Sequence, residues 1–168
     1  MILCGCANQR SNIRSNNDSP SLSVILFHND TFQPGLEEKL TNLTIEEFLA
    51  DGRAVVENDS DAEILLEGRI KKYTRSILSL DGNDDVNLYQ LAISVDIPIL
   101  NSHSKETIGF LSNVNITTTY VPKRNDIEFE TETEAQNRLL EDLAEEIVYQ
   151  LLDRNKKILT KNNINSLK

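Results

Sequence analysis

Three segments in the middle of the chain alternate apolar and polar residues with a period of two, the signature of half-buried strands. Ala62, Ile64, Leu66, Gly68 and Ile70 share one face of the first. Tyr89, Leu91, Ile93, Val95, Ile97 and Ile99 share a face of the second, and Phe110, Ser112, Val114, Ile116, Thr118 and Tyr120 share a face of the third. The intervening positions are polar: Glu63, Glu67, Arg69 and Lys71, then Gln90, Ser94 and Asp96, then Asn113, Asn115, Thr117 and Thr119. An antiparallel meander with one face on a core and one in water accounts for this pattern. The connections Asp81-Gly82-Asn83-Asp84 and Asn101-Ser102-His103-Ser104 carry residues that favour tight turns.

The flanks follow other periods. Ser23 to Phe27 is a continuous apolar run, as expected for a strand covered on both sides. His28 to Thr31 and Gln33-Pro34-Gly35 turn the chain into a helix that starts at Leu36. Its apolar positions Leu40, Leu43 and then Phe48 or Leu49 recur at helical spacing. Glu37 and Glu38 suit the positive end of the helix dipole, and Gly52 after Asp51 supplies a left-handed cap. Arg53 to Glu57 reads as a second strand, and a strand–helix–strand unit of this length defaults to a right-handed parallel crossover. The last helix is expected from about Thr133 to Arg154, capped by Thr131 or Thr133. Its apolar stripe comprises Ala135, Leu139, Leu140, Leu143, Ala144, Ile147, Val148, Leu151 and Leu152. The fold class is therefore α+β, a two-layer sandwich with two helices on one face of a mixed four- to five-stranded sheet, order β-α-β-β-β-β-α.

The ends do not share this patterning. Leu3-Cys4-Gly5-Cys6 has the form of a bacterial lipobox, with Cys6 as the lipidated residue. Residues 1–5 are then the remnant of a signal segment, since a whole signal needs a basic stretch and 7–15 apolar residues. A metal site is the weaker reading of Cys4 and Cys6, because zinc needs further Cys or His ligands. Residues 6–21, rich in Asn and Ser, read as the lipidated Cys and a flexible tether. Residues 22–154 form a single domain, and 155–168 a basic tail.

Charge narrows the function. The net charge of −10 argues against nucleic acid as a partner. It is unevenly spread: ten carboxylates and one Arg lie between Asp126 and Asp153, whereas Arg154 to Lys168 holds five basic residues and no acid. No apolar run approaches the ~20 residues of a spanning helix. With no Cys after Cys6, two separated His residues (His28 and His103) and no nucleophile elbow or phosphate loop, no enzyme chemistry is visible. The Asp81–Asp85 turn lacks the order and closing Glu of a calcium loop. No cofactor is expected. Two basic clusters stand out: Arg69, Lys71, Lys72 and Arg75, and Lys123 with Arg124. They either contact phosphate on a glycolipid or balance carboxylates such as Glu63 and Glu67.

Taken in order, these segments resemble the LPS-assembly lipoprotein family, LptE. The likeness rests on Val24 to Glu37 with its Phe27-His28-Asn29, on Leu40-Thr41, Phe48 and Asp51-Gly52-Arg53, and on Asp61 to Gly68. Tyr89-Gln90-Leu91, Glu132-x-Glu134-Ala135 and Leu143 to Ile147 complete it. The resemblance implies a lipid-anchored outer-membrane protein, on the periplasmic side, that plugs an LptD-type β-barrel and helps deliver lipopolysaccharide to the outer leaflet. It implies no enzyme. The chain departs from the family in carrying Asp81, Asp84, Asp85, Glu128 and Glu130 where better-known members place basic residues. Related lipoproteins that activate cell-wall synthases or build secretion pores share the strand–helix–strand opening. The alternative is therefore a periplasmic protein-binding module.

Overall fold

The structure is a computed structural model and describes residues 19–122 and 130–154. Strand β1 (Ser21–Asn29) leads into helix α1 (Leu36–Asp51), and the short strand β2 (Val55–Val56) follows. Strands β3 (Ile64–Leu80), β4 (Val86–Asn101) and β5 (Thr107–Tyr120) then precede helix α2 (Glu132–Tyr149), which runs on into a π-helical turn at Gln150–Arg154. The sheet order is β2-β1-β3-β4-β5. Strand β1 pairs in parallel with β2 and β3, while β3–β4 and β4–β5 are antiparallel. Both helices lie on one face, packed against each other. This is the α+β arrangement that the periodicities predict, with five strands.

The core between helices and sheet is aliphatic. Phe48, Leu40 and Leu36 of α1 and Leu139, Leu143 and Ile147 of α2 bury against Leu66, Ile70, Leu91, Ile93 and Val95. Of the two candidates at the end of α1, Phe48 is buried and Leu49 is exposed. Gly35 and Gly52, at φ 82° and 73°, bracket α1 in left-handed conformations open to glycine. Thr131 caps α2 through a full capping box: its hydroxyl accepts from the Glu134 N–H, and the Glu134 carboxylate accepts from the Thr131 N–H at 2.7 Å.

The structure corrects the expected face of β5. Phe110 and Ser112 do not share the core side with Val114; Leu111 does, and Phe110 is 52% exposed. The cause is a bulge at Ser112–Asn113. There Val95 pairs with Val114 but Ile97 pairs with Leu111, so the strand gains one residue and its alternation inverts. Asn113 takes φ 51°, a conformation Asn tolerates, and its N–H donates to Asp96 Oδ1 at 2.8 Å.

Two more bulges lie on neighbouring strands. One falls between Ile25 and His28 of β1, the other between Ile70 and Lys72 of β3. In β1 the Phe27 N–H leaves the ladder and donates to Thr41 Oγ1 of α1 at 3.0 Å. Together the three irregularities bend the sheet across its middle. The β3–β4 hairpin is also longer than the alternation suggests, and β2 is only two residues.

Candidate functional site

The β3 bulge decides where the basic row points. Arg69 pairs with Asp96 and faces away from the helices. Lys71 is the extra residue, and Lys72 pairs with Ser94, again on the outer face. The inverted alternation then turns Tyr73 and Arg75 toward the helix side, opposite Ile93 and Leu91. The row is therefore split, three cations outside and one inside.

On the outer face Asp30, not Glu63 or Glu67, supplies the countercharge. Its carboxylate lies 3.3 Å from Arg69 Nη1, 3.8 Å from Lys71 Nζ and 3.0 Å from His28 Nε2. The Arg69 and Lys71 side chains are about half exposed, so each pairing contributes little to stability and stays open to exchange. Beside them the outer surface holds a shallow groove of about 350 Å³, lined by Leu26, Pro98 and Phe110 together with Glu67, Arg69 and Asp96. Leu26 is 62% exposed. Apolar side chains next to cations form a surface able to meet an amphiphile, acyl group against Leu26 and Phe110, phosphate against Arg69 and Lys71.

Arg75 does different work. Its guanidinium lies 4.4 Å from the centre of the Tyr89 ring and pairs with the Glu132 carboxylate at the start of α2. Tyr89 stacks on Tyr120 at 5.3 Å, and the Tyr120 hydroxyl donates to Glu132 Oε2 at 3.3 Å. Burial first, then the Glu132 charge, pushes the Tyr120 hydroxyl up to about 12. This cluster fastens the first turn of α2 to the sheet.

Sequence reasoning missed Leu26 and Phe110, which it placed in buried or core-facing positions. One signal was available: Leu111 is apolar at a position assigned to water, which marks a phase change before Val114. Among the described residues no group of three His, Cys, Asp or Glu is placed to hold a metal ion. In the Asp81 turn, Oδ1 of Asp81 accepts from the Asn83 and Asp85 N–H groups at 2.9 and 3.1 Å, an ordinary side-chain turn. Cys6, Lys123, Arg124 and Glu128 lie outside the described residues. No described helix is long and apolar enough to cross a membrane.

Residues 20–154 match the family model described as LptE, Lipopolysaccharide-assembly. The chain belongs to the LptE family. No curated protein sequence matches it significantly. Among solved structures it is similar to a minor lipoprotein from Acinetobacter baumannii, at 22% identity and TM-score 0.51, covering 78% of this chain and 91% of that one. Protein XCC0632 from Xanthomonas campestris gives 12% identity and TM-score 0.54 over 82% and 87% of the two chains. The PelC dodecamer from Paraburkholderia phytofirmans gives 12% and 0.51 over 78% and 87%. At these identities the structures share the fold.

The residues that carry the LptE likeness hold this fold in place. Asn29 Nδ2 donates to the Gln33 carbonyl at 2.8 Å and to Glu37 Oε2 at 2.7 Å, while its Oδ1 accepts from the Thr31 N–H. It thereby organises the β1–α1 loop. Glu37 is held below the usual carboxylate range by its own backbone N–H and by Asn29. Asp51 aligns Arg53 at 2.7 Å, and Arg53 reaches Asp153 at 3.1 Å, tying the two helix ends together. The LptE pattern is thus mainly a pattern of packing and loop closure.

Proposed function

We propose that the protein is a non-enzymatic outer-membrane lipoprotein, anchored through Cys6, that plugs an LptD-type β-barrel and supports delivery of lipopolysaccharide to the outer leaflet. The match of residues 20–154 to the LptE family carries this reading. The outer groove supports it, because Arg69 beside exposed Leu26 and Phe110, with Lys71 on the shared Asp30 and Lys72 further along the same face, suits a phosphorylated acyl glycolipid. Lys123 and Arg124 belong to the same proposal as a second basic pair. Arg75, occupied by Glu132 and Tyr89, serves the fold first.

Depletion is the direct test. The barrel partner should become misassembled and lipopolysaccharide should be lost from the cell surface, and acylated protein pulled from membranes should bring a large β-barrel with it. Normal barrel levels and normal surface lipopolysaccharide after depletion would overturn the reading. Recovery with an inner-membrane synthase instead would place the protein among periplasmic protein-binding modules.

A further inference from the structure

Strand β1 stops pairing with β3 at Asn29, opposite Ile70, where the Asp30 N–H donates to the Ile70 carbonyl. Strand β3 runs on to Leu80. From Lys71 to Leu80 it has β4 on one side and, among the described residues, no strand on the other. The inserted Lys71 shifts the alternation of its backbone. Tyr73, Arg75 and Ile77 therefore turn their N–H and C=O groups to the open side. Three large apolar side chains are exposed here, Ile77, Leu78 and Leu80. Neither a charge nor a proline, the usual guards of an edge strand, lies between Arg75 and Asp81. Charge is instead sorted to the two ends. Lys71 and Lys72 stand where the open edge begins, and Asp81, Asp84 and Asp85 stand in the turn where it finishes. An edge basic at one end and acidic at the other complements a copy of itself laid antiparallel.

We propose that two copies of the chain pair antiparallel along this edge, about a two-fold axis at Ser76. Ser76 then opposes Ser76 of the second copy. Arg75 and Ile77 of each copy exchange backbone hydrogen bonds with Ile77 and Arg75 of the other, and Lys71 opposes Asp81. The neighbouring register, centred on Arg75, sets two guanidinium groups directly opposite, which like-charge repulsion disfavours. The fit is also one of shape. The hairpin of each copy enters the place that β1 of the other leaves when its chain turns away toward α1. Its Leu80 arrives at the loop that carries the fully exposed Phe32. The axis stands perpendicular to the sheet, so both helix layers lie on one face and at opposite ends of the joined sheet. The bodies of the two copies are thereby kept apart. This inference is independent of the barrel reading.

Cysteine cross-linking on the full chain, with Cys4→Ser and Cys6→Ser, tests the register. Ser76→Cys places two thiols on the axis in a non-hydrogen-bonded pair, with Cα atoms about 4.5 Å apart and within disulfide range. Mild oxidation should link the folded protein as a dimer, about tenfold faster or more than Ser112→Cys, an exposed position on β5, links by collision. Sedimentation equilibrium supplies the second arm. The parent should self-associate. Ile77→Pro removes a donor on the open edge, leaves the β4 ladder intact and should weaken association about tenfold or more. Lys71→Glu with Lys72→Glu should weaken it too, and adding Asp84→Lys and Asp85→Lys should restore it. A monomeric parent whose Ser76→Cys variant links no faster than the control overturns the inference. So does association indifferent to both the proline and the charge reversals. Protection of the Tyr73 and Ile77 amides that arises only when a β-barrel partner is added would give the edge to that partner, and overturns it as well.

Discussion

The ring of Phe27 lies directly on Gly68, so close that a Cβ built at position 68 would stand 2.5 to 2.6 Å from three ring carbons. Phe27 reaches this place because the β1 bulge releases its backbone to Thr41 and turns its side chain onto β3. Glycine at 68 is required by its neighbour's volume. Gly68→Ala should destabilise the domain by about 1 to 3 kcal/mol, the usual range for forced overpacking, read from urea unfolding. Phe27→Ala alone should cost about 3 to 5 kcal/mol. In the double variant the penalty of Gly68→Ala should vanish, and strict additivity would contradict the contact.

Asn113 offers a second stability test. Its left-handed φ of 51° suits Asn and Gly and penalises a branched side chain. Asn113→Gly should unfold within about 0.5 kcal/mol of the parent, whereas Asn113→Val should lose about 1 to 3 kcal/mol. A Val variant as stable as the parent would show that the bulge does not hold in solution.

The α2 clasp predicts a titration. Tyr120 keeps its proton up to about 12 in the folded protein against 10.0 in the unfolded chain. The native state therefore binds more protons between these values, and stability falls as pH rises from 10 toward 12. Below pH 10 this contribution is fully present. Phenolate absorbance should show Tyr120 ionising late, along with Tyr73, whose hydroxyl burial also raises. Tyr120→Phe should remove the portion nearest pH 12. Common titration of all the tyrosines in still-folded protein would contradict the cluster.

The split basic row separates binding from folding. Arg69→Gln, Lys71→Gln and Lys72→Gln together should weaken binding to purified lipopolysaccharide about tenfold or more, at roughly half to 1 kcal/mol per charge, with unfolding unchanged. Arg75→Gln should instead cost about 1 kcal/mol of stability through the lost Tyr89 and Glu132 contacts. Unaltered affinity in the triple variant would leave Arg69 and Lys71 as partners of Asp30 and exclude the row from lipopolysaccharide contact.

Lipidation is checked at one atom. With a full signal segment supplied, metabolic palmitate should label the protein and fail to label Cys6→Ala. Label retained on the variant would remove Cys6 as the anchor.

Much of this protein is legible in its sequence. Helix α1 from Leu36 to Asp51, the Thr131 cap and the alternation in β4 follow from period, cap chemistry and glycine, all set by neighbours a few residues away. The ordered motifs from Val24 to Ile147 were sufficient to suggest the family, because they encode local turns and the core. The bulges were not legible in the same way. Whether a strand accommodates an extra residue depends on what its partner and the facing helix offer: Asp96 for Asn113, Thr41 for Phe27. Only the tertiary structure therefore decided that Phe110 faces water, that Arg75 faces a helix while Lys72 does not, and that Asp30 is the shared countercharge. A period of two fixes which residues alternate, but a single inserted residue reverses the face of everything beyond it, and that insertion is stabilised by contacts distant in the chain.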